Sequence, residues 1–309
     1  QINAYGHGFD LIAQICNSDK NVDRICVVNS DEALKLIALK IKKSILILSF
    51  YSEDKNELKK LVSRGVVFPI YRLDQIGILN AVAKSLKKKV KVHIKIDTGT
   101  SRVGFLLSDL LKVSNTIKRA KWVSAEGIWS HFASSEDNAL FTRKQHETFA
   151  EALKILNNQG INPKIKHMSC TAASLGFDFS DLNAGRLGLG LYGLYPDKKL
   201  SNKIKLKPVL SWKTKIIQVK TLPRRAGIGY GSGYVLDKEA KIVVLPIGYW
   251  DGYTRTLSNT AKVLIKGKIC PIRGRICMNL MMVEVPLGLR VKPGDLVTLI
   301  GKDGKNTIS

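Results

Sequence analysis

Acidic residues are few in this 309-residue chain: 25 Asp and Glu stand against 50 Lys and Arg, a formal net charge of +25. The surplus is lysine, 37 against 13 Arg, spread over every segment with only a short run at Lys87, Lys88 and Lys89. Nucleic-acid binders usually cluster Arg and Lys on one face with interleaved aromatics. A solvated, lysine-biased surface is the plainer reading, with no specific nucleic-acid partner expected and weak, salt-sensitive attraction to polyanions in either case. The five cysteines (Cys16, Cys26, Cys170, Cys270, Cys277) form no CxxC pair. That excludes a disulfide framework or zinc finger and points to a reducing, cytoplasmic setting. The five histidines are scattered without HExxH, so no protein-built metal site is expected. No apolar run approaches the ~20 residues that a membrane-spanning helix needs. No secretory leader is recognisable at the amino end.

What is present has two textures. From Asp23 to about Leu194, apolar runs (Arg24–Val28, Ser44–Phe50, Val66–Tyr71, Val90–Ile96, Ala125–Ser130) alternate with stretches of helical period: Asp31–Lys42, Glu53–Ser63, Leu73–Leu86, Leu106–Lys118 and Arg143–Asn157. Strand–helix alternation at this spacing calls for a parallel sheet with right-handed crossovers. No GxGxxG follows an early strand, so a (β/α)8 TIM-type barrel lacking its first strand is expected over residues 1–205. After Pro208 the runs Ser211–Lys220, Ala240–Pro246, Lys262–Lys266, Cys270–Ile276, Met281–Val285 and Asp295–Ile300 are strand-like between Gly/Pro turns. An all-β domain, incomplete at its end, is expected over 206–309.

Chemistry on a barrel sits at the C-terminal ends of its strands. There Thr171 and the backbone N–H groups of Gly188 and Leu189 form a candidate anion cradle, although GlyLeuGlyLeu is equally consistent with tight packing. Arg102 and Arg186 are fixed cations suited to a carboxylate or a ring-nitrogen acceptor, or to structural ion pairs. His131 and His167 are more often hydrogen-bonded core histidines than catalysts. Lys95 and Asp97, two apart, suggest a charge network with Arg102. Alternation of Leu187, Leu189 and Leu191 with glycines suggests a strand end carrying Arg186 into the barrel mouth. Tyr230 sits in a glycine-rich turn that holds a phenol away from its own core, a candidate proton-transfer group if a cation stabilises its phenolate.

The ordered set AsnAlaTyrGlyHisGly (3–8), LysIleAspThrGlyThrSerArgValGly (95–104), SerHisPheAla (130–133), GlyArgLeuGlyLeuGlyLeuTyrGly (185–193), GlyTyrGlySerGlyTyr (229–234), ProIleGlyTyrTrpAspGlyTyr (246–253) and GlyArgIleCysMet (274–278) resembles bacterial alanine racemase over essentially the whole chain. The resemblance implies a pyridoxal-phosphate barrel plus β domain, interconverting L- and D-alanine for peptidoglycan as a homodimer with shared active sites. It implies that Tyr230 is the base reaching the partner's site and that Arg186 meets the pyridine nitrogen. Tyr5, Thr171, Gly188 and Leu189 match phosphate contacts, and His167 falls among the cofactor contacts. Arg102 and the Met278 backbone match substrate-carboxylate contacts, and Tyr249 lines the entrance. His131 matches the histidine behind the catalytic tyrosine, and Lys95 the lysine that some relatives carbamylate.

The departures are as specific. The family's Schiff-base lysine stands two residues before the Asn of AsnAlaTyrGlyHisGly, and here that position is Gln1. An amide supplies neither the covalent anchor nor a second base. Cys170, Thr171 and Asn279 stand where relatives commonly carry Asn, Ser and Asp. A chain truncated at both ends, as a gene fragment or a decayed copy, is expected, and without activity as written. A non-catalytic pyridoxal-phosphate-binding remnant is the alternative, and a polyanion binder the third.

Overall fold

The computed structural model describes residues 2–309, the side chain of Ile2 excepted; Gln1 lies outside the described residues. Two compact units divide the chain, Gln1–Leu206 and Lys207–Ser309.

In the first unit, six parallel strands follow one another in chain order: β1 (Arg24–Val27), β2 (Ser44–Ile47), β3 (Phe68–Ile70), β4 (Val90–Lys95), β5 (Val123–Trp129) and β6 (Ile165–His167). Single bridges extend the ladder, Leu46 to Val67 between β2 and β3 and His167 to Ala184 after β6. The sheet curls on itself, because Arg24 on β1 crosses the interior to reach Glu126 on β5 at 2.9 Å. This is the (β/α) barrel architecture. Helices cover the outside, and several start where a side chain satisfies the first amides. Asn29 caps Ser30–Ala38, Asp54 caps Lys55–Ser63, and Asn138 caps Ala139–Asn158. The last helix therefore begins earlier than its apolar period alone suggests.

Strand β4 alternates: Val90, Val92 and Ile94 pack with the helices, while His93 and Lys95 turn inward. On β5 the register slips between Val92 and His93, so Ala125 and Gly127 flank an extra Glu126. That bulge re-aims the strand. A Cβ on Gly127 would sit 2.6 Å from the His93 ring, which explains the glycine.

The Leu187–Leu191 stretch is not a strand. Pairing stops at the Ala184 bridge, and Leu189–Tyr192 forms a 3-10 turn closed by Gly193 at φ 76°. The amides of Gly188 and Gly190 turn toward Thr171 instead of a neighbouring strand.

The second unit is antiparallel. Its strands are β7 (Trp212–Lys215), β8 (Gln218–Leu222), β9 (Gly227–Ile228), β10 (Tyr234–Val235), β11 (Ala240–Leu245), β12 (Lys262–Ile265), β13 (Lys268–Arg273), β14 (Met281–Val285), β15 (Leu296–Asp303) and β16 (Asn306–Ile308). The main sheet runs β16-β15-β12-β13-β14-β11-β8, with β7 on β15 and a separate β9–β10 ribbon. The run Ser211–Lys220 is two strands, broken where Ile216 donates to Asp295 and Ile217 to Val244. Val243, Leu245, Val263, Ile272, Val283 and Val297 form a core separate from the barrel's.

Candidate active site

Arg186 lies just past the Ala184 bridge, half-buried at the strand ends. Its Nη1 donates to His167 Nδ1 at 2.7 Å and to the His167 carbonyl at 3.1 Å. Its Nη2 faces the Ser130 carbonyl (2.8 Å), His131 Nδ1 (3.1 Å) and the Met168 carbonyl (3.2 Å). The Nε–H has no acceptor among the described residues, which leaves one oriented donor for a ligand. Burial lowers the guanidinium only to about 10, so it is cationic at neutral pH. No carboxylate among the described residues pairs with it.

Behind Arg186 a buried chain runs down the barrel. His167 Nε2 meets His93 Nδ1 at 2.7 Å, and His93 Nε2 meets Glu126 Oε2 at 3.2 Å. Arg24 and Lys91 hold the same carboxylate at 2.9 and 2.7 Å. These cations and hydrogen bonds keep Glu126 well below the usual carboxylate range, the His93 bond first among them. Burial, reinforced by Arg186, pushes His167 well below 6.5 and His131 down to about 4. All three histidines are neutral at physiological pH.

Lys95 is buried beside this column, donating to the Ile96 carbonyl at 2.8 Å. Desolvation, then the Arg186 charge, lowers its pKa to about 7. Lys95 Nζ and the Arg186 guanidinium both lie over the Trp129 ring, at 4.9 and 5.0 Å from its centroid. A π-face is attractive to each and offsets part of their mutual repulsion. The expected ion network of Lys95, Asp97 and Arg102 does not form. Asp97 Oδ1 instead accepts from the amides of Gly99, Thr100 and Ser101, shaping the loop on which Arg102 stands exposed.

The residues of the candidate anion cradle are neighbours: Thr171 Oγ1 accepts from the amides of Gly188 (3.2 Å) and Gly190 (3.3 Å), so the Gly188 N–H is turned onto the threonine. The Leu189 amide has no protein acceptor among the described residues. Tyr5 closes the cradle. Its ring lies 5.3 Å from Tyr192, and a Cβ on Gly188 would come within 2.5 Å of its hydroxyl. An orphan amide, a threonine hydroxyl and a phenol at a helix start suit a phosphate.

In the second unit, Tyr230 sits on a short turn with 70% of its surface exposed. The same turn packs on Arg275, which leads into Met278. The Tyr249 and Trp250 amides donate to the Cys277 and Met278 carbonyls at 3.0 Å each. Tyr230, Met278 and Tyr249 therefore stand on neighbouring turns of that unit.

Arg24, His93, Glu126 and Trp129 were not among the candidate residues. The legible signal was the Lys/His/Lys alternation of β4, polar where an ordinary barrel strand is apolar on both faces.

Fold and site together define an enzyme with a cationic barrel mouth, an anion cradle and an appended β domain. Residues 2–196 match the model of the alanine racemase N-terminal domain, and residues 209–309 that of the C-terminal domain. An alanine racemase of Methanococcus maripaludis is 38% identical over 99% of this chain and 82% of its own length. A second, from Caldanaerobacter subterraneus, is 36% identical over 98% and 78%. The solved alanine racemase of Clostridium difficile superposes with a TM-score of 0.87 at 32% identity, covering 99% of this chain and 79% of that one. That of Bacillus anthracis, with bound L-Ala-P, gives 0.86 at 32%, with the same coverage. This chain belongs to the alanine racemase family, whose members are isomerases.

Proposed function

We propose that the barrel mouth binds pyridoxal 5′-phosphate and that the site serves the interconversion of L- and D-alanine, in the cytoplasm and for peptidoglycan. The single observation that carries this is the free Nε–H of Arg186, a cation with no carboxylate partner among the described residues. When bound, the cofactor supplies an electron sink that acidifies the Cα proton of an attached amino acid. Arg186, a donor that stays charged, would meet the pyridine nitrogen; a cationic donor there would leave that nitrogen unprotonated and favour proton exchange at Cα over competing bond cleavages. Tyr5, Thr171 and the Leu189 amide would hold the phosphate, with Gly188, whose amide donates to Thr171 Oγ1, shaping the cradle beside them, and His167 fixes Arg186. Arg102 and the Met278 backbone bind the substrate carboxylate.

Exchange on both faces of Cα needs two opposed acid–base groups. Tyr230 serves as one, delivered to the mouth of a partner in a homodimer, with His131 behind it and Tyr249 at the entrance. The second belongs to the position of Gln1, whose amide neither holds the cofactor covalently nor accepts a proton. The chain with Gln1 therefore binds pyridoxal phosphate without turning alanine over. A coupled assay for D-alanine from L-alanine, with cofactor added, compares this chain with Gln1→Lys. Turnover is expected only from Gln1→Lys, since one general base alone typically contributes ~10²–10⁴-fold. Equal rates from both would overturn the role given to position 1.

A further inference from the structure

The charge of the barrel is polarised along its axis. The connections that run from each helix into the next strand are 19–23, 39–43, 64–67, 86–89, 120–122 and 159–164. They carry ten basic residues and two acidic ones. The connections leaving β1–β6 for the following helices carry two basic residues and six acidic ones. In a parallel barrel all connections of the first kind emerge at one pole. Lysines scattered along the sequence thus converge on a single face, opposite Arg186.

None of the ten forms an ion pair among the described residues. Lys20, Lys42, Lys87, Lys89, Lys121 and Lys164 are all exposed. Cations near helix C-termini are mildly favoured by the helix dipole. That effect fades within a turn and does not explain three consecutive lysines entering β4 with no counter-ion. Uncompensated like charge disfavours the compact state, and an anionic partner would relieve it.

We propose that this pole is a docking face for an anionic phospholipid surface. Six connections around one pole meet a plane together, whereas a nucleic-acid duplex would touch only a strip of them. No large apolar or aromatic residue of these connections is exposed, so there is no platform for stacking bases and no anchor for insertion. No helix among the described residues is long and apolar enough to cross a membrane, so the contact proposed is peripheral. Eight of the ten are exposed lysine point charges, the form of charge that binds headgroups without directional readout. Docked this way, the protein turns the mouth with Arg186 away from the surface.

The test is co-sedimentation of the full chain with phosphatidylcholine vesicles, with and without phosphatidylglycerol. Binding is expected only with the anionic lipid and is expected to fall steeply with salt. Each basic residue at such a surface is worth about a fivefold factor. The combined substitution Lys42→Gln, Lys87→Gln, Lys89→Gln and Lys121→Gln should therefore cut partitioning at least tenfold. Lys20→Gln with Lys164→Gln, on two other connections, should cut it severalfold. Removing the same charge from the second unit (Lys213→Gln, Lys215→Gln, Lys302→Gln, Lys305→Gln) should leave it within about twofold. Equal loss from both fourfold variants, absence of binding, or tighter binding to a charge-matched RNA duplex that displaces the vesicles would each overturn the proposal. Matching far-UV circular dichroism of the variants keeps folding out of the comparison.

Discussion

His167 and His93 share one hydrogen bond, 2.7 Å from Nε2 to Nδ1, and the groups at its two ends fix which ring donates. Arg186 can only donate, so His167 Nδ1 accepts and its proton sits on Nε2. His93 Nδ1 then accepts and its Nε2 carries the proton toward Glu126. Arg24 Nη1, 3.0 Å from that same nitrogen, donates to the carboxylate. Two neutral imidazoles thus connect a cation at the mouth to an anion at the base of the barrel, in one tautomeric order.

Glu126→Gln removes the anionic end of that chain. A hydrogen-bonded, partly buried charge contributes about 1–3 kcal/mol, and a loss of that size is expected at pH 7. Because the folded carboxyl is held below its ordinary range, its stabilisation is complete above about pH 4.5 and fades as pH falls below it. Denaturant melts at pH 7 and pH 3.5 check this: the gap between parent and variant should narrow in acid.

Lys95 titrates in the opposite window. Its folded value is near 7, against 10.5 in the unfolded chain. Between those values the unfolded state binds the extra proton, so stability is lost progressively as pH falls from 10.5 to 7 and is level below. Chemical denaturation of the parent from pH 7 to 10 should show stability climbing relative to Lys95→Met. A constant difference would mean that Lys95 stays charged.

Gly188→Ala places a methyl against the Tyr5 hydroxyl at 2.5 Å, at a negative φ of −125°. The flexible phenol gives way and the cradle opens. Cofactor affinity, followed by quenching of intrinsic fluorescence on titration with pyridoxal phosphate, is expected to weaken about tenfold, the effect of losing roughly one good hydrogen bond. The melting temperature should hold.

Gly127→Ala drives a methyl into the His93 ring from the bulge of β5. Overpacking of this kind costs about 1–3 kcal/mol. Thermal melts should show the loss, and His93→Ala in the same chain should recover part of it by emptying the space.

The barrel was readable because its strands and helices alternate with clear periods; the start of the Ala139–Asn158 helix was not, because it is set by the Asn138 cap ahead of the apolar period that begins near Arg143. Arg186, Thr171 and Tyr5 were singled out because their motifs stand in order along the chain. The column beneath was not. His93 and Glu126 lie 33 residues apart and meet only because β4 and β5 are neighbours with a one-residue slip. That the Gly188 and Gly190 amides turn onto Thr171 depends on how a 3-10 turn is wound, and composition does not encode that. The lysines read as dispersed because connections far apart in sequence share one pole only after the barrel closes.

Ladder order also sets a timetable for synthesis. Each barrel strand pairs with the one made just before or after it, so that unit can grow strand by strand as it leaves the ribosome. Strand β7, the first of the second unit, instead waits for β15, with Trp212 paired to Ile300. Until that late strand emerges, β7 and β12 both lack it as a partner, the open edge of β12 carries Val263, Leu264 and Ile265, and the nascent chain is most exposed to aggregation in its final stretch.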